Sequence, residues 1–177
     1  MDKTWGINSN NQKIYDFRDK FNNEISVLEI GPGNGDNIIK IRELYCPKNV
    51  FCMQPENEEY SNFNENIRSI VGNDKFLETR LEDYIKFDNY KKFDIIYIFK
   101  FNINFAAKDN FFEALNKILL NNGIIYITSV EKERFHKYDK YYDCLWCMNC
   151  VKKYFKFDKS IVGVGNEFYG DIILKKL

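Results

Sequence analysis

Short apolar runs alternate with longer amphipathic stretches along most of this chain, and that alternation predicts its elements. Val27–Ile30 and Val50–Met53 are runs of strand type, and Phe76–Thr79 is a shorter one followed by an acidic turn at Glu82-Asp83. Between them, Asp36–Leu44 carries Ile38, Ile41 and Leu44 on one helical face, with Pro47 beyond its end. A second helical stretch runs from about Glu56 to Val71 and breaks at Gly72-Asn73. Phe93–Phe99 (FDIIYIF) and Gly123–Ser129 (GIIYITS) are continuous apolar runs of the kind found in parallel strands buried on both faces. Asp109–Leu120 reads as a helix with Phe112, Leu115, Ile118 and Leu119 toward the core, and Asn121-Asn122-Gly123 as its stop. Residues from about Lys137 to Phe155 read as a long helix. Ser160–Val164 and Asp171–Leu174 read as two strands joined through Gly165–Gly170. At the other end, Ile14, Phe17 and Phe21 are spaced i, i+3, i+7 and predict an amphipathic helix from about Ser9 to Asn22, with Ser9 as N-cap.

Strand–helix alternation through five strands, closed by a short antiparallel pair, predicts an α/β fold built in three layers. A length of 177 residues, with no internal repeat and no linker, predicts a single domain over 1–177. It consists of an N-terminal helical segment, 1–24, and a core, 25–177. Hydrophobic residues at 45% are enough for such a core and exclude a disordered chain.

Charge changes the picture by what it removes. With 26 basic and 26 acidic side chains the net charge is zero, so the chain lacks the strong positive field that drives unaided binding to duplex nucleic acid. No apolar run is long enough to span a membrane, and MDKTWGINSNNQK offers no signal-peptide core. Five Cys, three of them at 144, 147 and 150, do not form a secreted disulfide pattern, so a cytoplasmic chain with reduced thiols is expected. Ala is scarce while Asn, Lys, Ile, Phe and Tyr abound. That bias resembles an AT-rich genome, so individual Asn residues carry little weight.

The chemistry concentrates in VLEIGPGNGD, residues 27–36. Gly31, Gly33 and Gly35, interleaved with Pro32 and Asn34, follow the first strand and open the first helix, where open α/β sheets bind ligands. Glycine lets the backbone turn sharply and pass close to a ligand. The G-x-G-x-G spacing differs from the G-x-G-x-x-G of dinucleotide sites, and a carboxylate at Asp36 suits a pyrophosphate poorly. Glu29 stands two positions before the first Gly.

This E-x-G-x-G-x-G after the first strand resembles motif I of the class I S-adenosylmethionine-dependent methyltransferases, and the order of elements over residues 25–177 is similar to theirs. The resemblance implies a Rossmann-like, mostly parallel seven-stranded sheet with a C-terminal antiparallel strand pair, S-adenosylmethionine as cofactor, and methyl transfer to an O or N acceptor. It places Glu29, Gly31, Pro32, Gly33, Asn34 and Gly35 at the cofactor. It puts Gln54-Pro55 where the family usually carries an acid for the ribose hydroxyls. Gln lacks the charge-assisted strength of a carboxylate, so either Gln54 serves or Glu56 or Glu58 reaches back. It implies Leu81 or Glu82 near the adenine, and the edge Phe99-Lys100 near the transferred methyl. Neither an N-P-P-Y or D-P-P-Y motif nor the Lys-Asp-Lys-Glu set occurs.

For a catalytic base, the single His, His136, follows the fifth strand on the acceptor side and has the natural pKa for the task. Glu131 and Glu133 are rivals, and Lys100 could bind an anionic acceptor. Cys144-x-x-Cys147-x-x-Cys150 fits zinc, with His136, Cys46 or Cys52 as fourth ligand, but also fits the buried face of a helix. The apolar reading is preferred, so no metal is expected. Few residues remain for a lid, which leaves the site open to a second copy, a homodimer partner, covering it. A sugar-like or other small acceptor is favoured over RNA, for which the 12 Tyr and 16 Phe could supply stacking platforms. A non-catalytic partner subunit with this fold is the reading of another class.

Overall fold

The computed structural model describes residues 14–56, 61–101, 109–129, 150–158 and 171–177. Seven strands form one sheet in the order β3-β2-β1-β4-β5-β7-β6. They are β1 (Val27–Ile30), β2 (Val50–Met53), β3 (Phe76–Leu77), β4 (Phe93–Phe101), β5 (Leu119–Ser129), β6 (Phe155–Phe157) and β7 (Asp171–Lys176). The helices are α1 (Asp36–Leu44), α2 (Ser61–Val71), α3 (Leu81–Tyr84) and α4 (Asp109–Ile118). This is the mostly parallel α/β sheet that the alternation of elements predicts. The chain divides into two compact units, Met1–Arg80 and Leu81–Leu177.

In the first unit β1 and β2 run parallel with Val27 opposite Val50 and Glu29 opposite Cys52, and β3 joins with Phe76 opposite Cys52. Val27, Leu28, Val50, Cys52 and Met53 are buried, and Ile38 and Ile41 of α1 and Ile67 and Val71 of α2 are buried with them. Burying such a face is what makes a nine-residue helix like α1 stable at all, since isolated helices of that length are marginal.

The expected N-terminal helix is corrected over its described part. Residues 14–17 are irregular, and only Arg18–Lys20 forms a 3-10 turn. Two local bonds compete with the helix. Asp16 accepts from the Arg18 N–H at 3.0 Å and pairs with its guanidinium, and the buried Phe17 donates its N–H to the Tyr45 hydroxyl at 3.0 Å. The segment from Ser9 to residue 13 lies outside the described residues. β3 is shorter than expected because Thr79 donates back to the Leu77 carbonyl at 2.9 Å. Glu82-Asp83, read as an acidic turn, lies in the single helical turn of α3.

In the second unit β4 and β5 are parallel and buried almost throughout, from Ile95 opposite Ile124 to Ile98 opposite Ile127. α4 stops at Ile118 and β5 starts at once, so Asn121-Asn122-Gly123 does not end the helix but lies within the strand. The pairing jumps from Phe93–Leu119 to Ile95–Ile124, so these turn residues stand out of the ladder as an irregularity. β7 runs antiparallel to β5, as the closing pair requires. Its other neighbour is Phe155–Phe157, and the expected strand at Ser160–Val164 lies outside the described residues. The long helix is therefore corrected at its end. Residues 150–154 are helical, and Phe155-Lys156-Phe157 then alternates buried and exposed as a strand does. No helix among the described residues is long and apolar enough to cross a membrane.

Candidate functional site

Three glycines shape the turn that leaves β1. Gly31, Gly33 and Gly35 have φ of 70°, 58° and 94°, a region that L side chains rarely adopt. Gly31 donates to the Met53 carbonyl at 2.9 Å, which ties the turn to the end of β2, and Gly35 donates to the Pro32 carbonyl at 3.0 Å. A Cβ at Gly31 or Gly33 would meet nothing within 4 Å, so the loop presents bare backbone to open space. At Gly35 the reverse holds, because a Cβ would stand 2.8 Å from Cδ1 of Ile70 on α2. Two glycines thus keep a face clear, and the third lets the loop pack.

Asp36 begins α1, where a carboxylate suits the positive end of the helix, and it accepts from the Asn34 side chain at 2.8 Å. Its negative charge at this end argues against a phosphate lying there. Pro32 is buried, and Asn34 offers its carbonyl to the Asn66 side chain at 2.6 Å.

Glu29 is 1% exposed, and neither carboxyl oxygen has a hydrogen-bond partner among the described residues. Burial pushes its pKa up to about 8, opposed only by the neighbouring Asn37 side chain, which favours the charged form without reaching either oxygen in full hydrogen-bond geometry. Across the ladder, burial and the Glu29 carboxyl together push the Cys52 thiol up, which disfavours its thiolate.

Gln54 follows β2 and reaches the loop directly. It is buried, its Oε1 accepts from the Gly33 N–H at 3.1 Å, and its Nε2 donates to Asn64 Oδ1 at 2.6 Å. Asn64 Nδ2 in turn donates to Glu78 at 2.9 Å and to the Pro55 carbonyl at 3.4 Å. The first unit therefore gathers Glu29, Gly31, Pro32, Gly33, Asn34, Gly35, Gln54 and Pro55 around one turn. Asn64, Asn66 and Glu78 join them, though the sequence did not single them out. Their signal was available: Asn64 shares the i, i+3, i+7 stripe of α2 with the buried Ile67 and Val71, and a polar residue on such a stripe needs partners.

Most of the remaining expected residues belong to the second unit. Leu81 is buried and Glu82 half-buried in α3. Phe99 is buried in a ring cluster, stacked on Tyr97 at 5.6 Å and edge-on to Tyr126 at 6.1 Å. Lys100 falls within β4. Glu131, Glu133, His136, Cys144 and Cys147 lie outside the described residues, as does Glu58, while Cys46, Cys52 and Cys150 are free thiols. Among the described residues no group of three or more His, Cys, Asp or Glu is placed to hold a metal ion.

No family model matches this sequence, and no curated protein matches it. Solved structures do. The sugar N-methyltransferase KedS8 from Streptoalloteichus superposes on 64% of this chain with a TM-score of 0.51 and 15% identity. S-adenosylmethionine-bound CalS10 from Micromonospora echinaspora, an amino pentose methyltransferase, covers 66% with a TM-score of 0.51 and 15% identity. The ribosomal protein L11 methylase from Lactobacillus delbrueckii covers 88% with a TM-score of 0.55 and 14% identity. The chain spans 44% of KedS8, 48% of CalS10 and 72% of the L11 methylase. The sheet order, the glycine turn after β1 and these superpositions agree: the chain has the Rossmann-like fold of the class I S-adenosylmethionine-dependent methyltransferases.

Proposed function

We propose that the chain is an S-adenosylmethionine-dependent methyltransferase whose donor is gripped by the glycine turn of residues 31–35. The observation that carries this reading is the cradle itself. Two positive-φ glycines face open space beside a buried carboxyl whose oxygens have no hydrogen-bond partner in full geometry among the described residues. An unpartnered buried carboxyl costs free energy, and a ligand amine or a bridging water would relieve that cost. When bound, S-adenosylmethionine supplies an activated methyl group that a nucleophilic oxygen or nitrogen can take.

The chain's own contribution is to bind and orient. The Gly31 and Gly33 backbone lets a ligand approach within van der Waals contact, and alignment of the reacting groups is the larger part of catalysing such a displacement. Asp36 keeps the helix end free of phosphates. Leu81 and Glu82 are the proposed adenine neighbours, and Phe99 and Lys100 the proposed edge toward the acceptor. His136, with Glu131 as its rival, is the proposed base that accepts the acceptor's proton.

A sugar-like or other small acceptor in the cytoplasm fits the net charge of zero, which provides no general attraction for a nucleic acid backbone. KedS8 and CalS10 are sugar methyltransferases by description, and the L11 methylase acts on a ribosomal protein, so a panel of amino sugars, RNA and ribosomal protein separates the acceptor classes. Transfer of radiolabelled methyl from S-adenosylmethionine to the amino sugars supports the reading. Transfer to RNA alone would move the acceptor to a different class. Cofactor binding with no transfer to any acceptor class would favour a non-catalytic partner subunit.

A further inference from the structure

Buried amides next to the glycine turn form a one-way chain of hydrogen bonds. It starts at the Gly33 N–H, which donates to Gln54 Oε1 at 3.1 Å. Gln54 Nε2 donates to Asn64 Oδ1 at 2.6 Å, and Asn64 Nδ2 donates to Glu78 Oε1 at 2.9 Å. Glu78 ends the chain with its other oxygen on the Arg68 guanidinium, which lies over the Phe76 ring at 5.2 Å. A backbone N–H can only donate and a carboxylate can only accept, so the two ends impose the same direction on both amides. Reversing either amide would set donor against donor or acceptor against acceptor. Gln54 is 5% and Asn64 2% exposed, so water could not repair the mismatch. α2 also holds the loop a second time, through the Asn66 side chain on the Asn34 carbonyl.

We propose that Asn64 is a positioning residue for the donor cradle: the chain Gly33–Gln54–Asn64–Glu78 fixes the direction of the Gly33 N–H and with it the shape of the turn that grips the cofactor. The proposal rests on the reading of this turn as the cofactor cradle. It makes hydrogen-bond direction at position 64 decisive, beyond size or polarity. Asp at 64 keeps the shape and still accepts from Gln54. When ionised, though, it turns an oxygen instead of an N–H toward the Glu78 carboxylate, and two like charges then face each other in a partly buried site. Gln at 78 would restore a donor facing that oxygen and complete the chain in the new direction.

The test compares Asn64→Asp, Glu78→Gln and their combination in the full chain. One readout is S-adenosylhomocysteine affinity by calorimetry at neutral pH. The other is hydrogen exchange of the Gly33 amide in the ligand-free protein by NMR. Asn64→Asp is expected to weaken binding about tenfold or more and to speed Gly33 exchange by a similar factor, while the double variant returns to within about threefold of wild type. Wild-type affinity and exchange in Asn64→Asp would overturn the proposal, as would a double variant no better than the single one. If Asn64→Asp does not fold, Asn64→Leu replaces it. The expectation is then fast Gly33 exchange in Asn64→Leu beside normal exchange in the double variant, and equal exchange in both overturns the proposal. Should wild-type protein bind no cofactor, the cofactor reading fails by itself, and Gly33 exchange still decides whether Asn64 positions the turn.

Discussion

The two units bury their residues on different terms. In the first, four buried side chains among the described residues are polar: Glu29, Asn37, Gln54 and Asn64. In the second, among the described residues, Thr128 is the sole buried polar side chain, and β4 and β5 are lined by Ile, Phe and Tyr. Burying polar groups costs free energy unless each finds a partner, so a chain that does so in one place and not another is spending stability there on something besides folding. Gln54 and Asn64 have partners that lead to the glycine turn, and the Glu29 oxygens have no hydrogen-bond partner in full geometry among the described residues. On the proposed reading, the second unit is built to hold together and the first to hold a ligand.

Core variants in the second unit should strike stability, and cradle variants in the first should strike affinity. Phe112, 1% exposed in α4, gives the largest effect: Phe112→Ala should cost about 3–5 kcal/mol in denaturant unfolding while the folded fraction keeps its cofactor affinity. Gly33→Arg should do the opposite. Its backbone strain costs roughly 1–2 kcal/mol, since the Cβ meets open space, but calorimetry should find cofactor binding weakened by about a hundredfold or more. A Gly33→Arg protein that binds as wild type would break the comparison.

Glu29 sharpens it through pH. Its carboxyl is raised to about 8 from an ordinary 4.5, so across that window the folded chain keeps a proton that the unfolded chain has lost. Its contribution to the stability of the ligand-free protein is therefore fully present below the lower value and is lost as pH rises toward the higher one, by at most about 1.4 kcal/mol per pH unit. Glu29→Gln should flatten that slope in urea midpoints measured from acid to mildly alkaline pH, and a slope equal to wild type would show that Glu29 is not the group responsible. The smallest effect is expected on the surface, where Lys86 and Asp83 pair at 2.6 Å with both side chains largely exposed. Lys86→Ala should leave both midpoint and affinity unchanged, because exposed ion pairs gain little over hydrated charges.

Much of the first unit was legible in the sequence because local patterns decided it. β1, α1 and β2 have the bounds that apolar spacing and the glycine turn predict, and each of the three loop glycines takes a positive φ. What escaped depends on contacts between distant residues. Asn64 and Glu78 are ten and twenty-four positions from Gln54, and an Asn in an Asn-rich chain gives no sign of its partners except its place on an apolar helical stripe. In the second unit the Asn121-Asn122-Gly123 signal was real but marked an irregular stretch of β5 rather than the end of a helix. Phe155 reads as the end of a helix because the three alternating residues Phe155-Lys156-Phe157 are too few to oppose the stretch before them, until β7 pairs with them. Helical pattern and strand pattern overlap at such joins, and pairing decides between them.

Calorimetric titration of the wild-type protein with S-adenosylhomocysteine tests the central claim most directly, with Gly33→Arg as its control. The account predicts saturable binding of one molecule per chain that Gly33→Arg abolishes. No heat and no thermal shift at millimolar ligand, or equal binding by the Gly33→Arg protein, would contradict it.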